Sequence, residues 1–222
     1  MRGVFCTKDV SSGVEGGPGP VRSLLLGLLP GAEVFCLDQV HSGRVVLAEH
    51  VDPSMPPQAD GIISRDPGAV LCIRTADCVP VLAWALDIPL NAAVHAGWRG
   101  LAQGIVTACI RAMHELGARD IRAAIGPFIG PCCYEVGPEV VDALGIEPLV
   151  DAQDRVRVDL GAVARRQLLS AGLEPEAVQA REICTACSPE RFFSYRRQSG
   201  EAGRNLSLIG GKSWSLPGLP VG

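Results

Sequence analysis

Asn91-Ala92-Ala93-Val94-His95-Ala96-Gly97-Trp98-Arg99-Gly100 carries an apolar run into a glycine turn, with a histidine just before the turn and an arginine just after it. Asn91 to Val94 reads as the end of a buried strand. Leu101 to Leu116 reads as a helix whose apolar residues Ile105, Cys109, Met113 and Leu116 share one face. The stretch is thus a strand-turn-helix unit, with His95 at the carboxyl end of the strand and Arg99 where the helix begins. There the guanidinium charge adds to free backbone N–H groups and to the positive end of the helix dipole, a setting that holds an anion. Two other segments, Gln39-Val40-His41 and Ala76-Asp77-Cys78, offer metal-type ligands in comparable settings, and the three are expected to converge.

Working outward, Glu15 to Pro20 reads as loop and Val21 to Leu29 as a short helix ended by Pro30-Gly31. Val34 to Val40 and Val45 to Ala48 flank Ser42-Gly43-Arg44, which suggests a hairpin or tight corner with His41 at its edge. Gly61 to Ile63, Ala69 to Ile73, Val79 to Leu86 and Ile121 to Ile125 are short apolar strands punctuated by Gly, Pro or Asp. Pro138 to Leu144 reads as a short helix with proline in its first turn, and Asp159 to Ala171 as a longer one capped by Asp159 and ended by Gly172. Arg181 to Thr185 and Asn205 to Ile209 are the last strands. Some strand pairs are adjacent and few helices intervene, so the expected fold is α/β, a single domain over residues 1–222 with mixed β-sheets flanked by helices in a layered sandwich.

With 222 residues, 47% hydrophobic and 20% charged, the chain has enough apolar material for one sizeable core. Net charge is −4 and Lys and Arg form no long block, so a nucleic-acid surface is not expected. The apolar run Ser23 to Leu29 begins too late and stops too soon for a signal peptide, and no stretch approaches membrane-spanning length. The expectation is a cytoplasmic monomer.

Nine cysteines, an odd number with no small secreted framework, read mostly as small apolar core residues in a reducing compartment, Cys72 and Cys109 among them. Cys184-Thr185-Ala186-Cys187 is a C-x-x-C, a redox pair or half a zinc site. No second C-x-x-C partners it. The vicinal Cys132-Cys133 supplies the missing thiols only if the fold brings it close.

A catalytic zinc takes three N, S or O ligands and keeps one position open. His41, Cys78 and His95 make an N-S-N set of that kind, although separations of 37 and 17 residues obey no local spacing rule. Context singles them out, since each lies at a strand end beside a turn. His50 precedes a loop and His114 lies on the polar side of a helix, so neither is included.

Asp38-Gln39-Val40-His41, Ala59-Asp60-Gly61, Thr75-Ala76-Asp77-Cys78, Val94 to Gly100, Ile125-Gly126-Pro127, Tyr134-Glu135-Val136-Gly137 and Phe193-Ser194-Tyr195-Arg196-Arg197, in this order, resemble the motifs of the family called polyphenol oxidase (laccase-domain) proteins or purine nucleoside phosphorylases. The resemblance runs from about residue 33 to 210. It implies a zinc held by His41, Cys78 and His95. It also implies phosphorolysis of adenosine, inosine and methylthioadenosine together with deamination of adenosine; copper-dependent phenol oxidation is the older attribution. Residues 1 to about 30 depart from the family pattern: Phe5-Cys6-Thr7-Lys8 and Ser11-Ser12-Gly13 are a thin remnant of its opening strand and loop.

Chemistry suggests roles for the neighbouring residues. Phosphorolysis needs a cation to set phosphate against an oxocarbenium-like ribose, which suits Arg99. Deamination needs an activated water and a carboxyl group to move protons, which points to Asp77, whose other reading is a turn cap. The usual zinc-deaminase signature, H-x-E with P-C-x-x-C, is absent. Arg196 and Arg204 read as surface salt-bridge partners rather than anion contacts. The competing readings are a copper-dependent polyphenol oxidase, a thiol hydrolase with Cys78 as nucleophile and His95 as base, and a zinc site that binds nucleosides without turnover. Four histidines are too few for several coupled coppers.

Overall fold

A computed structural model describes residues 3–11, 17–199 and 202–210. Ser12 and Gly13 of the N-terminal remnant lie outside the described residues. Two sheets form the frame. Strands β1 (Gly3–Phe5), β2 (Glu33–Cys36), β5 (Ala69–Thr75) and β12 (Asn205–Gly210) make a four-stranded sheet in the order β1-β12-β5-β2. Strands β3 (Val45–Leu47), β4 (Gly61–Ser64), β6 (Val79–Ala85), β7 (Asn91–Ala96), β8 (Ile121–Ile125) and β11 (Val178–Ala180) make a six-stranded one in the order β11-β8-β6-β7-β4-β3. Both are mixed: β2 runs parallel to β5 and β11 to β8, whereas β6 and β7 are antiparallel.

Side-chain alternation assigns the faces. On β7, Ala92, Val94 and Ala96 point to a core shared with α3 (Ile105–Glu115), α4 (Pro138–Leu144) and α5 (Leu160–Ser170), whereas Ala93 points the other way. Ala93 joins Ile62, Leu71, Ile73, Leu82 and Ile209 in a layer between the two sheets. On the outer face of the smaller sheet, Val34, Val70, Cys72 and Leu208 pack against Val21 and Leu25 of α1 (Pro18–Leu28). The two large sheets pack on each other and helices cover their outer faces, giving four layers: helix, sheet, sheet, helices. The expected layered α/β sandwich is what the chain forms.

Several expectations need correction. Helix α1 starts at Pro18, inside the stretch read as loop, because proline's fixed φ fits a first helical turn. The segments around Ser42 are no hairpin: β2 belongs to the small sheet and β3 to the large one, so the chain crosses between layers there. The helix read over 101–116 is two helices, α2 (Trp98–Ala102) and α3, because Gly104 takes a left-handed φ of 73° between them. The last parallel strand lies at Val178–Ala180, ahead of the predicted Arg181–Thr185, because its partner β8 ends where Pro127 offers no N–H. Of the opening-strand remnant at 5–8 only Phe5 is in a strand, β1, which begins earlier at Gly3, and the hairpin of β9 (Leu149–Val150) and β10 (Val156–Arg157) has no counterpart in the sequence reading.

Candidate metal centre

The register of three strands assembles the site. In the β6–β7 ladder Pro80 lies opposite His95 and Val79 opposite Ala96, so Cys78 leaves the sheet beside the end of β7. In the β4–β7 ladder Gly61 faces Val94, which puts Asp60 next to His95 on the other flank. The His95 N–H donates to the Asp60 backbone carbonyl at 2.7 Å, and His95 Nδ1 lies 2.7 Å from Asp60 Oδ1. The third contribution comes from the loop after β2. Gln39 mimics a strand there, accepting from the Arg74 N–H at 2.9 Å and donating to the Arg74 carbonyl at 2.7 Å.

Asp60, fully buried, then gathers that loop. Oδ1 accepts from the His41 N–H at 3.0 Å, and Oδ2 from the Ser42 N–H at 2.6 Å, the Ser42 hydroxyl at 2.8 Å and the Val40 N–H at 3.3 Å. The convergence of these amides on one carboxylate accompanies a left-handed φ of 61° at His41, a conformation uncommon outside glycine. The His41 ring stands edge-on to His95, with centroids 4.8 Å apart, and its Nε2 lies 3.8 Å from Cys78 Sγ. Ligand atoms of His41, Cys78 and His95 all lie within 4.8 Å of one another. The three segments converge as expected.

Electrostatics match the geometry. Burial opposes charge on Cys78, yet the neighbouring His95 holds its thiol down at about 6. Burial likewise opposes the His95 imidazolium, but the Cys78 thiolate and Asp60 lift it to about 9. Burial works against Asp60 too, and the hydrogen bonds from His95 and Ser42 outweigh it and bring the carboxyl to about 2. With Nδ1 committed to Asp60, His95 presents Nε2 to the cluster, the carboxylate–histidine arrangement that commonly orients a metal ligand. Gly97 packs against this group so closely that a Cβ there would sit 2.9 Å from His41 Cδ2 and 3.1 Å from Cys78 Sγ. His95 and Cys78 face inward while His41 is exposed, so the donor set fits a metal with one open side.

Asp77 sits at the turn between β5 and β6 with a φ of 89° and is nearly buried. Its Oδ1 accepts from the Thr185 hydroxyl at 2.6 Å and its Oδ2 from the Arg196 N–H at 2.7 Å. Asp77 therefore ties the ligand turn to the 181–197 loop. Arg99 is exposed and lies over the Trp98 ring at 4.3 Å. It belongs to the five-residue α2, so the long-helix dipole invoked for it is not available. Arg196 and Arg204 form no salt bridge among the described residues: Arg196 stacks over Tyr134 at 5.3 Å and donates to the Glu135 carbonyl, and Arg204 donates to the carbonyls of Ala202 and Gly203. Both were expected to find acidic partners, and backbone carbonyls at the turns took that place.

Two residues beyond the expected set adjoin the cluster. Asp60 was visible only as part of a motif, its pairing with His95 being a matter of strand register. Tyr134 lies within the electrostatic reach of Cys78, Arg196, Asp77 and Arg99; burial first and then the Cys78 charge push its hydroxyl up to about 12. His50 and His114 stand apart, with His114 Nδ1 on the Ala118 carbonyl at 2.9 Å.

Comparison with known proteins gives a consistent picture. A family model described as multi-copper polyphenol oxidoreductase laccase matches residues 21–212. Purine nucleoside phosphorylase YlmD of Geobacillus stearothermophilus is 34% identical, over 79% of this chain and 71% of its own. Purine nucleoside phosphorylase YfiH of Escherichia coli K12 is 37% identical, over 85% of this chain and 77% of its own. The crystal structure of the Bacillus licheniformis hypothetical protein YfiH superposes with a TM-score of 0.82 at 28% identity, covering 94% of this chain and 91% of that one.

Proposed function

Since this chain belongs to the multi-copper polyphenol oxidoreductase laccase family and has relatives named purine nucleoside phosphorylases, we propose that it is a zinc-dependent purine nucleoside phosphorylase with adenosine deaminase activity. The proposed substrates are phosphate with adenosine, inosine or methylthioadenosine. The observation that carries the reading is the His41, Cys78 and His95 set, gathered within 4.8 Å and oriented by a buried carboxylate.

In this reading His41 Nε2, Cys78 Sγ and His95 Nε2 hold the metal, which when bound supplies a Lewis acid at the open side of the site. Asp60 fixes the His95 ring and the His41 loop at once. Arg99 carries a positive charge on the exposed rim, where it can position phosphate against the ribose. Asp77 accepts hydrogen bonds on both oxygens and keeps a lone pair on each, so it can take a proton while still holding the ligand turn. Tyr134, its hydroxyl kept neutral, offers a donor and an aromatic face to a purine. Incubated with inosine and phosphate, zinc-loaded protein should release hypoxanthine in proportion to phosphate. Release no greater than from Cys78→Ala protein would sink the proposal.

A second reading has a specific observation in its favour, because two histidines and one cysteine also suit a single copper ion. Coupled coppers do not fit: among the described residues no further histidine joins the cluster. Stoichiometric copper with phenol oxidation in protein isolated from its native source would favour this reading over zinc. A chelator separates both from thiol hydrolysis, which would survive it.

A further inference from the structure

Four cysteines that play no part in this site meet on the far side of Asp77. Strands β8 and β11 are adjacent and parallel, and the loops that follow them stay side by side: the Phe128 N–H donates to the Ile183 carbonyl at 3.2 Å and the Thr185 N–H to the Phe128 carbonyl at 2.9 Å. One loop carries Cys132-Cys133 and the other Cys184-Thr185-Ala186-Cys187. Their four sulfurs all lie within 4.8 Å of one another, with Cys187 Sγ 3.3 Å from Cys133 Sγ and 3.7 Å from Cys132 Sγ. We infer that these four thiols form a second metal site, a tetrahedral tetrathiolate that takes one zinc ion and staples the two loops together.

Three observations carry this. The first is spacing: zinc–sulfur bonds of about 2.3 Å at tetrahedral angles set sulfurs roughly 3.8 Å apart, close to the separations here, whereas a disulfide needs about 2.05 Å. The second is the hydrogen bond from the Gly130 N–H to Cys184 Sγ at 3.3 Å, a contact that supports a thiolate ligand. The third is charge. Four thiolates around Zn²⁺ leave a net charge of about −2 by formal count, and three guanidinium groups attach to the carbonyls of these loops. Arg157 donates to the Cys132 carbonyl at 2.8 Å, Arg196 to that of Cys133 at 3.5 Å, and Arg197 to those of Thr185 at 2.8 Å and Ala186 at 3.0 Å. An all-sulfur donor set selects zinc over hard cations, and the exposed Cys132 and Cys187 give the ion a way in. Each thiol releases its proton on binding.

The position gives the site a purpose. Thr185, between the two cysteines of the C-x-x-C, donates to Asp77 Oδ1, and Arg196, bonded to the Cys133 carbonyl, presents its N–H to Asp77 Oδ2. A zinc at the four thiols would therefore brace the wall behind Cys78 without entering the reaction.

The test uses full-length Cys78→Ala protein, which removes a donor from the first site and leaves the second whole. Elemental analysis should find about one zinc per chain, and adding Cys132→Ser and Cys187→Ser should abolish it. Should the triple variant fail to fold, a mercurial thiol reagent added to folded Cys78→Ala protein should release that zinc as the thiols react. Zinc content unaffected by the two serines, no zinc release by the mercurial, iron in place of zinc, or a disulfide among these cysteines in freshly isolated protein would each overturn the inference.

Discussion

Asp60 does two jobs with one carboxylate. It sets the ring of His95 through Oδ1 and folds the 40–42 backbone around both oxygens, so the positions of two candidate ligands depend on it. Asp60→Asn keeps the size but turns one oxygen into a donor that faces donors. Loss of such a partner weakens metal binding by about 10–100-fold, so competition against a chromophoric chelator should show a drop of that order. Unchanged affinity would mean that Asp60 only shapes the loop. Gly97→Ala probes the same cluster from outside: its Cβ would press on His41 and Cys78, so metal affinity should fall while the far-UV circular dichroism stays that of the parent. At this scale the convergence of His41, Cys78 and His95 was legible, because the sequence sets each between a strand-like run and a turn, and the structure gathers their candidate ligand atoms within 4.8 Å. Asp60 was not legible as their partner. Its contact with His95 follows from the β4–β7 register, and no local pattern encodes an antiparallel pairing across 35 residues.

Element boundaries divide in the same way between local and distant causes. The start of α5 was readable because its signal is local: the Asp159 side chain accepts from the Ala162 N–H at 2.9 Å, and Asp159→Ala should cost about 1 kcal/mol in denaturant unfolding. The break between α2 and α3 was not readable, since a glycine inside an apolar periodicity looks the same whether the helix continues through it or stops. Here Gly104 has a φ of 73°, and Gly104→Ala should cost about 1–2 kcal/mol; a helix running through this position would instead be stabilised by alanine. The same break changes the setting of Arg99, which stands on a single short helix, so the role proposed for it rests on its charge and not on a long helix dipole. The misplaced strand at 181–185 has a distant cause as well. That segment looks β-like, but β8 ends at Ile125, so the chain continues as the loop that carries Cys184 and Cys187.

At the scale of the whole molecule, the layer between the sheets ties the fold to the site. Leu71 and Ile73 on β5 face Leu82 on β6 and Ala93 on β7, so the strands that end at Cys78 and His95 are held in place by packing across two sheets. The turn at Asp77 and the loop at His41 both cross between those sheets, and their spacing is set by the thickness of this layer. Leu71→Ala opens a cavity at a fully buried position and should cost about 2–5 kcal/mol. For a chain of this length each kcal/mol lowers the unfolding midpoint by about 2–4 °C, so the loss should be plain in calorimetry. The shape of the transition is the sharper test. If both sheets share one core, the Leu71→Ala endotherm moves down as a single peak, and metal release follows it at the same temperature. Two separated peaks would show instead that the small sheet and α1 unfold alone, leaving His95 and Asp60 on an intact six-stranded sheet.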